Sequence, residues 1–496
     1  MGKRFGLSKS KITAFEQCRK RLWLQTHKAE VAVEDESAQA RFAKGNAVGD
    51  LACELCPNGI MIKAEPDLRS ALERTQELLD SDHYDPLFEA TFQHEGVLVR
   101  ADIMEHDGSD GWHVAEVKSS TGVKDYHLGD MATQLWVMRS AGANISSAAI
   151  RHIDRSFILA EAGHYEGLFA DTFIEEEVSE LEANRETIVR EARETLDGSE
   201  PEIEMGPQCN QPFECEFQSY CHAQTGAEYP EWPISLLPRT GKRIAEAYAA
   251  QGIFDLTEVP EGQLTHKNHE KIRQATASNE PFHDVDSIIA ETDGWHFPLI
   301  HLDFETCNMA IPRWVGTRPY QQVPFQFSTH IQTEDGQITH HEFLDLSGND
   351  PRQACAAALA GLPEKGSVVA WNASFERRCL KDLAEALPDL AERLLSLADR
   401  LVDLKVVAEQ HYYHRDQRGS WSIKSVLPTL ANELDYGALE VKSGGEAFSA
   451  YEEAISSATS MVRHEAIGDA LKFYCERDTW AMVVLLAKLR AQEVPQ

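Results

Sequence analysis

Several features are missing from this 496-residue chain. No apolar run approaches the roughly 20 residues that a membrane-spanning helix needs. The first residues, MGKRFGLSKSKITAF, lack the apolar core of a secretory signal, and position 6 is Gly6 where a myristoylation signal has Ser or Thr. No G-x4-G-K-S/T sequence occurs, which argues against a P-loop ATP motor. These absences predict a cytoplasmic protein without a membrane partner.

Positive charge is also scarce, because 47 Lys and Arg stand against 81 Asp and Glu, for a net charge of −34. Such a charge disfavours a general polyanion binder. It does not exclude local cationic patches, since salt screens charges beyond roughly 8 Å. The first thirty residues predict one such patch, with Glu16 and Glu30 as their only acids and these bases: Lys3, Arg4, Lys9, Lys11, Arg19, Lys20, Arg21 and Lys28.

The remaining composition, 42% apolar and 26% charged, is that of an ordinary globular protein of two to four domains. Its ten cysteines are scattered along a long chain. In an intracellular protein, that distribution favours metal ligands and buried thiols over a disulfide framework. Cys53 and Cys56 lie on an apolar helical face and are predicted to be core residues.

A first candidate site lies between residues 96 and 120. Two apolar runs, Gly96–Met104 and Trp112–Val117, flank the turn sequence HDGSDG and predict a β-hairpin. The hairpin carries Asp102, Glu116 and Lys118 where apolar residues are expected. Carboxylates are ligands for Mg²⁺ or Mn²⁺, and a lysine beside them can position the attacking water in a nuclease. The alternative is an edge strand with a solvated polar face.

Two neighbouring residues favour the nuclease interpretation. Glu89, in FEATF, could extend the carboxylate set. Gln134, on the predicted helix DMATQLWVM, could orient the lysine or the water.

A cysteine cluster is predicted downstream, where Cys209, Cys215 and Cys221 are separated by five residues each. Three thiols need a fourth ligand to close a site, and Cys18 is the candidate. It lies in a predicted helix over residues 9–27 that Ser8 caps. An iron–sulfur cluster or zinc would suit these thiols, His222 as fourth ligand would favour zinc, and three unligated thiols are the alternative. A long acidic helix over residues 175–196 is predicted to precede the cluster.

Residues 1 to 225 resemble the RecB-like PD-(D/E)xK nucleases that carry an iron–sulfur cluster. The resemblance makes Asp102, Glu116 and Lys118 the nuclease motif and Gln134 the motif that follows it. It also implies a 4Fe–4S cluster on four cysteines: Cys18, Cys209, Cys215 and Cys221. The chain departs from many relatives by having Gly49 in place of a metal-binding histidine.

Residues 230 to 280 predict a helical connector. A turn around Thr240–Lys242 followed by a helix resembles a helix-hairpin-helix element, whose backbone amides can bind a phosphate. A plain helical linker is the alternative.

A second candidate site begins at residue 298. FPLIHLDFET predicts a strand on which Asp303 and Glu305 project to one face. A hairpin, a helix, the buried strand SVVAW and a helix beginning at Asn372 follow. The last helix places Tyr474 and Asp478 one turn apart. The sequence EQHYYHRD, with His411 and His414, predicts a surface loop rather than a metal site.

This order of elements resembles the RNase H-like fold, and the motifs DFET, N-x-x-F-E and Y-x-x-x-D resemble the DnaQ-like DEDD exonucleases. In that family four carboxylates hold two cations about 3.5–4 Å apart. The resemblance assigns Tyr474 to the attacking water and the following residues to the metals: Asp303, Glu305, Glu376 and Asp478. Glu376 replaces the usual aspartate. Asn372, Asp403 and Lys424 are candidate accessory residues.

Over nearly its full length the chain resembles an uncharacterised bacterial family that fuses these two nuclease types. The predicted fold is α/β, with a restriction-endonuclease-like domain at 1–228, a connector at 229–290 and an RNase H-like domain at 291–496. The predicted function is a Mg²⁺- or Mn²⁺-dependent DNA exonuclease that acts on single-stranded ends in repair, recombination or defence, with a separate helicase as a further partner. Two alternatives are a nucleic-acid-binding scaffold with a structural or redox-sensing cluster, suggested by Gly49 and Glu376, and an RNA-processing exonuclease.

Overall fold

The computed structural model describes residues 6–33, 36–81, 84–225, 230–432, 434, 436–437 and 439–495. It is a mixed α/β protein, which confirms the predicted class. Residues 1–227 and 309–320 form one compact unit, and residues 228–308 and 321–496 form a second. The predicted connector at 229–290 therefore belongs to the second unit. No helix in the described ranges is long and apolar enough to cross a membrane.

The first unit is built on one sheet with the strand order β2-β3-β4-β5-β6-β7, and β1 pairs with β4. Its strands are β1 (Leu7–Ser8), β2 (Ile60–Met61), β3 (Leu87–His94), β4 (Val97–His106), β5 (Trp112–Lys118), β6 (Ile145–Ile153) and β7 (Phe169–Phe173). Its helices are α1 (Lys9–Gln17), α2 (Arg19–His27), α3 (Glu36–Glu54), α4 (Leu68–Leu79), α5 (Asp125–Ser140), α6 (Glu175–Ala183), α7 (Arg185–Asp197) and α8 (Gln218–Gln224).

The centre of this sheet confirms the predicted hairpin, because β4 and β5 pair in antiparallel register. The next pair, β5 and β6, is parallel. A parallel pair needs a crossover, which α5 supplies. Helix α5 buries Met131, Leu135 and Met138 in the same core as the sheet, and these residues recur at the spacing of one helix face.

Two long helices that the sequence predicts as continuous are each divided into two shorter helices. The helix expected over residues 9–27 has Ser8 as its N-cap, as predicted, but it ends at Cys18, whose backbone is extended (φ −163°, ψ 120°). The acidic helix expected over residues 175–196 is interrupted at Asn184. Apolar periodicity continues through both breaks, so the sequence pattern alone did not reveal them.

The segment 309–320 completes the first unit. Its Ala310 packs in a small core cluster with Val48, Ile153 and Leu168. Thr317 accepts a backbone hydrogen bond from Leu159 at 2.9 Å.

The second unit contains a sheet of order β11-β10-β9-β12-β13 and a separate pair, β14-β8. Its strands are β8 (Phe282–His283), β9 (Leu299–Cys307), β10 (Val323–Gln332), β11 (Ile338–Leu344), β12 (Val368–Ala370), β13 (Leu401–Asp403) and β14 (Tyr412–Tyr413). Its helices are α9 (Gly241–Ala249), α10 (Lys267–Ser278), α11 (Val285–Thr292), α12 (Arg352–Ala360), α13 (Ala373–Ala386), α14 (Ala391–Asp399), α15 (Leu404–His411), α16 (Ile423–Leu430), α17 (Gly444–Ala454) and α18 (Met461–Leu489).

Strand β9 lies in the middle of the larger sheet and separates two environments. Ile300, Leu302 and Phe304 enter the apolar core on one face. The alternate residues Asp303 and Glu305 project to the opposite face, because side chains alternate along a strand. This arrangement confirms that the two carboxylates share one face.

The surface loop predicted around His411 is wrong. Tyr412 and Tyr413 form β14, pair with β8 and are only 2% and 1% exposed. His411 ends α15 and its Nε2 lies 2.9 Å from Glu291. The aromatic pair is therefore core, and burial of two large rings overrides the polar character of their neighbours.

Candidate active sites

The first centre consists of Asp102 on β4, Glu116 and Lys118 on β5, and Gln134 on α5. Lys118 Nζ donates to Glu116 Oε1 at 2.8 Å, and Gln134 Nε2 donates to Glu116 Oε2 at 2.6 Å. Asp102 Oδ2 accepts a hydrogen bond from the backbone amide of Val117 at 2.8 Å. The predicted residues therefore meet, although Gln134 binds the carboxylate rather than the lysine.

Sequence reasoning missed one member of this centre. Lys9, on α1, donates to Glu116 Oε1 from 107 positions away in the chain. It was predicted only as part of a surface patch. No local motif identifies Lys9, because its role depends on α1 packing against α5 and β4.

The first centre shifts the pKa values of its two acids in opposite directions. Burial and the neighbouring Glu116 raise the pKa of Asp102 to about 7. Burial alone would raise the pKa of Glu116, but Lys118 and Lys9 hold it well below its usual range. Burial disfavours the charged form of Lys118, yet Glu116 and Asp130 raise its pKa overall. Lys118 is thus a hydrogen-bond donor and not a proton acceptor at neutral pH.

Glu89 lies beside the first centre but is paired elsewhere. It falls between the pairs Phe88–Ile103 and Ala90–Ala101, and hence opposite Asp102 in the register. Its backbone is left-handed (φ 57°), and its carboxylate forms an ion pair with Arg100 at 3.0 Å.

The predicted cationic patch is largely neutralised within the first unit. Lys20 and Lys28 pair with Glu200 at 3.1 and 2.9 Å, and Arg21 pairs with Glu216 at 2.9 Å. Lys3 and Arg4 lie outside the described residues. The acids that pair with these bases come from distant segments, which the local sequence does not reveal.

A different cationic surface adjoins the first centre. It is a pocket whose lining includes Lys118, Lys124, His127, Arg155 and Tyr320. Burial and the nearby Lys118 lower the pKa of His127 to about 4, so its ring is neutral at pH 7. The positive charge of the pocket therefore comes from its lysines and arginine.

The four predicted cluster cysteines line one small cavity: Cys18, Cys209, Cys215 and Cys221. The extended backbone at Cys18 places it there, between α1 and α2. His222 is not among the described residues that line the cavity. Four thiols around one space are a donor set that suits iron–sulfur or zinc ligation. Cys53 and Cys56 pack instead with an apolar cluster, as expected.

The second centre brings together Asp303 and Glu305 on β9, Glu376 on α13, and Asp478 on α18. Glu305, Glu376 and Asp478 are only 6%, 2% and 7% exposed. Oxygen atoms of Asp303 and Glu305 lie within 4.8 Å of each other and of Cys475 Sγ. Cys475 was missed, although it precedes Asp478 by three residues and so shares its helix face.

Burial dominates the electrostatics of the second centre. Burial and the nearby Asp478 carboxylate raise the pKa of Asp303 well above its usual value. Burial and the nearby Asp303 carboxylate raise the pKa values of Glu305 and Glu376. Glu376 Oε2 has no hydrogen-bond partner among the described residues. A divalent cation would reduce the repulsion between the carboxylates and would give Glu376 Oε2 a partner. These residues therefore fit a metal site.

Two tyrosines face the second centre. Tyr436 donates to Asp478 Oδ1 at 2.5 Å. The hydroxyl of Tyr474 accepts a hydrogen bond from Lys424 at 2.9 Å, which places Lys424 in the site. Tyr436 was missed because it lies in an irregular segment without a motif.

Asp403 and Asn372 have structural roles here. Asp403 Oδ2 accepts the amide of Ala373 at 2.9 Å, and Asp403 Oδ1 accepts the amide of Val406 at 3.2 Å. Asn372 has a left-handed backbone (φ 84°) where α13 begins. Together they fix the start of the helix that carries Glu376.

Comparisons with known proteins cover part of the chain. Residues 300–422 match a family described as a domain of unknown function, DUF2779. The match includes Asp303, Glu305 and Glu376 but ends before Lys424 and α18. A solved structure described as "Crystal structure of SSO0001" is similar over 45% of this chain and 88% of its own, at 17% identity and a TM-score of 0.24, which is too low to support an argument. No curated protein matches the chain.

Proposed function

We propose that the protein is a metal-dependent nuclease that hydrolyses phosphodiester bonds, with single-stranded DNA ends as its substrate. One observation carries the proposal: four carboxylates converge in the second centre. Burial raises the pKa values of all four, and repulsion from a neighbouring carboxylate adds to the rise at Asp303, Glu305 and Glu376. Lys424 offsets this charge only in part, because the pKa values of Asp303, Glu305 and Asp478 stay raised beside it. Buried acids are costly unless further positive charge binds them. Paired cations held by carboxylates are the usual means of hydrolysing phosphodiesters.

The finer fold assignments are part of this proposal. We assign the first unit to the restriction-endonuclease-like fold of RecB-like nucleases and the second to the RNase H-like fold of DnaQ-like exonucleases. The β4–β5 hairpin with Asp102, Glu116 and Lys118 supports the first assignment. The order β11-β10-β9-β12-β13, with D-x-E on its middle strand, supports the second.

In the second centre, Asp303, Glu305, Glu376 and Asp478 would hold Mg²⁺ or Mn²⁺, which supplies Lewis-acid activation of water and neutralises the phosphate. Tyr474 presents a hydroxyl whose position Lys424 fixes. That hydroxyl also hydrogen-bonds to the Asp478 carboxylate, and from this position it would align the water for in-line attack. Tyr436 and the start of α13 hold Asp478 and Glu376 in place.

In the first centre, Asp102 and Glu116 would hold a single cation. Lys118 stays protonated, so it orients the water or contacts a phosphate oxygen and does not abstract a proton. Gln134 fixes the second oxygen of Glu116. The adjoining pocket, with Lys124 and Arg155, suits the phosphates of a bound strand.

The cysteine cavity would hold a 4Fe–4S cluster, or zinc as the alternative, on Cys18, Cys209, Cys215 and Cys221. Such a site would tie the α1–α2 junction to the end of the first unit and would give structural order. Brown colour after anaerobic purification supports iron–sulfur, and colourless protein with stoichiometric zinc supports the alternative.

A time course on end-labelled single-stranded DNA with Mn²⁺ tests the proposal. It compares wild type with Glu116→Ala and Asp303→Ala. Asp110→Ala and Asp335→Ala, which change exposed acids in hairpin turns of the same two sheets, are matched controls. We expect a shrinking ladder in wild type and controls, and its loss in the variant that disables the active centre.

Unchanged cleavage in a variant that combines Asp102→Ala with Asp303→Ala would overturn the proposal. RNA of the same sequence, run in parallel, separates DNA degradation from RNA processing.

A second function is a nucleic-acid-binding scaffold in which one or both centres are inactive. The ion pairs of both Lys9 and Lys118 with Glu116 favour it, because they occupy an oxygen that a metal would need. Binding of a labelled strand without any shortening in Mg²⁺ or Mn²⁺ would support this function.

A further inference from the structure

Three histidines lie side by side on the larger sheet of the second unit. The strand register pairs His330 on β10 with His301 on β9 and with His340 on β11. Residues paired across neighbouring strands project to the same face of a sheet. The three rings therefore form a row on the face that α18 covers.

The middle and outer members of this row approach a carboxylate on α18. One ring nitrogen each of His330 and His340 and one oxygen of Glu476 lie within 4.8 Å of one another. The centroids of the two rings are 4.7 Å apart. A tetrahedral ion with bonds of about 2.0–2.1 Å would bring its ligand atoms to about 3.3 Å, a movement that side-chain rotation can supply.

Hydroxyl groups lie within hydrogen-bonding distance of one nitrogen of each ring. Thr479 Oγ1 is 2.9 Å from His330 Nδ1, and Ser328 Oγ is 2.9 Å from His340 Nε2. The two hydroxyls are themselves 2.8 Å apart. In the tautomers in which His330 Nδ1 and His340 Nε2 donate to these hydroxyls, His330 Nε2 and His340 Nδ1 carry the lone pairs that a metal ion needs.

That arrangement is the one expected of metal-binding histidines, whose second nitrogen donates to a fixed partner. The adjoining His301 is fully buried, and neither of its ring nitrogens has a hydrogen-bond partner of normal geometry among the described residues.

We propose that His330, His340 and Glu476 bind a divalent transition-metal ion of the Zn²⁺ type. Two imidazoles and one carboxylate suit such an ion, whereas the carboxylates of the second centre suit Mg²⁺ or Mn²⁺. Three protein ligands leave one position for water. The ion would join β10 and β11 to α18. This inference goes beyond the proposed nuclease function and does not depend on it.

Anomalous diffraction locates the ion directly. Crystals of the full chain grown with Zn²⁺ are measured on both sides of the zinc absorption edge. We expect an anomalous peak between His330, His340 and Glu476.

Zinc content measured after dialysis gives a second readout. His340→Gln and Glu476→Gln each lose one equivalent of zinc relative to wild type. His341→Gln is the matched control, because His341 is the next residue on β11, is exposed and projects to the opposite face. It keeps the wild-type zinc content.

Anomalous peaks confined to the cysteines or to the carboxylates of the second centre would overturn the proposal. Equal zinc content in wild type, His340→Gln and His341→Gln would also overturn it. The wild-type crystals decide the matter even if a variant fails to fold.

Discussion

The two centres differ in how their acids are neutralised. In the first, the ammonium groups of Lys9 and Lys118 both contact Glu116, and they keep its carboxylate charged without a metal ion. In the second, Glu305, Glu376 and Asp478 are buried and Asp303 is half-buried, and the pKa values of all four rise instead. Lys424 lies near them, but its ammonium group donates to Tyr474 and to a backbone carbonyl.

This difference teaches that similar ligands can imply opposite responses to metal. A cation entering the first centre competes with ammonium groups for Glu116. A cation entering the second relieves repulsion and replaces protons. We therefore expect the second centre to bind divalent metal more tightly and to gain more stability from it.

The largest expected effect is on catalysis in the second centre. Asp478→Asn removes a charged ligand and should lower the rate of strand shortening by about 100- to 1000-fold. Asp469→Asn, an exposed acid on the same helix, should leave it unchanged. Initial rates with saturating Mn²⁺ measure both, and a wild-type rate for Asp478→Asn would remove the second centre from the chemistry.

The next effect is on stability without metal. The pKa of Glu376 is raised above its unfolded value, so the folded state binds its proton more strongly and stability falls as pH rises between the two values. Glu376→Gln cannot ionise and should be more stable than wild type at pH 8 in EDTA by roughly 1–3 kcal/mol, with less difference near pH 4.5.

Denaturant unfolding at several pH values measures this effect. Glu385→Gln is the control, since Glu385 is exposed on the same helix, α13. A Glu376→Gln variant that is less stable than wild type at pH 8 would show that the carboxylate is neutralised by other means.

A smaller effect tests the competition at the first centre. Lys9→Met removes one ammonium group from Glu116, and Mn²⁺ affinity there should rise by about tenfold, or ~1.4 kcal/mol. Lys11→Met, two residues away, should not change it, because Lys11 donates to the carbonyl of Gly6. Electron paramagnetic resonance titration in an Asp303→Ala background isolates this centre. Weaker binding in Lys9→Met would mean that Lys9 helps to assemble the site.

The smallest effect concerns Tyr436, which donates a hydrogen bond to Asp478. Tyr436→Phe removes that bond, at a cost of about 1 kcal/mol, so the rate should fall less than tenfold. Tyr248→Phe on α9 serves as control. A loss as large as that of Asp478→Asn would indicate that Tyr436 itself contacts the reacting groups.

Local patterns predicted the elements that carry the sites. Alternation along 299–307 placed Asp303 and Glu305 on one face, and helical spacing placed Tyr474 beside Asp478. The turn sequence between β4 and β5 predicted the hairpin of Asp102 and Glu116. Each of these inferences used only the spacing of side chains along one strand or helix, or the sequence of one tight turn.

Residues that enter from elsewhere were not predictable in this way. Lys9 and Tyr436 reach their carboxylates through tertiary packing. Lys20 pairs with Glu200 and Arg21 with Glu216, both far away in the sequence. The break at Cys18 is similar, because it occurs where apolar spacing favours a continuous helix. Interactions between distant segments outweighed local propensity in each case.

The chain passes from the first unit to the second, back for residues 309–320, and to the second again. Those twelve positions supply Ala310 to a core cluster of the first unit. A gene fragment ending near residue 228 would therefore encode a first unit with part of its apolar interior uncovered. A single cut in the gene would therefore not separate a complete first unit from the second.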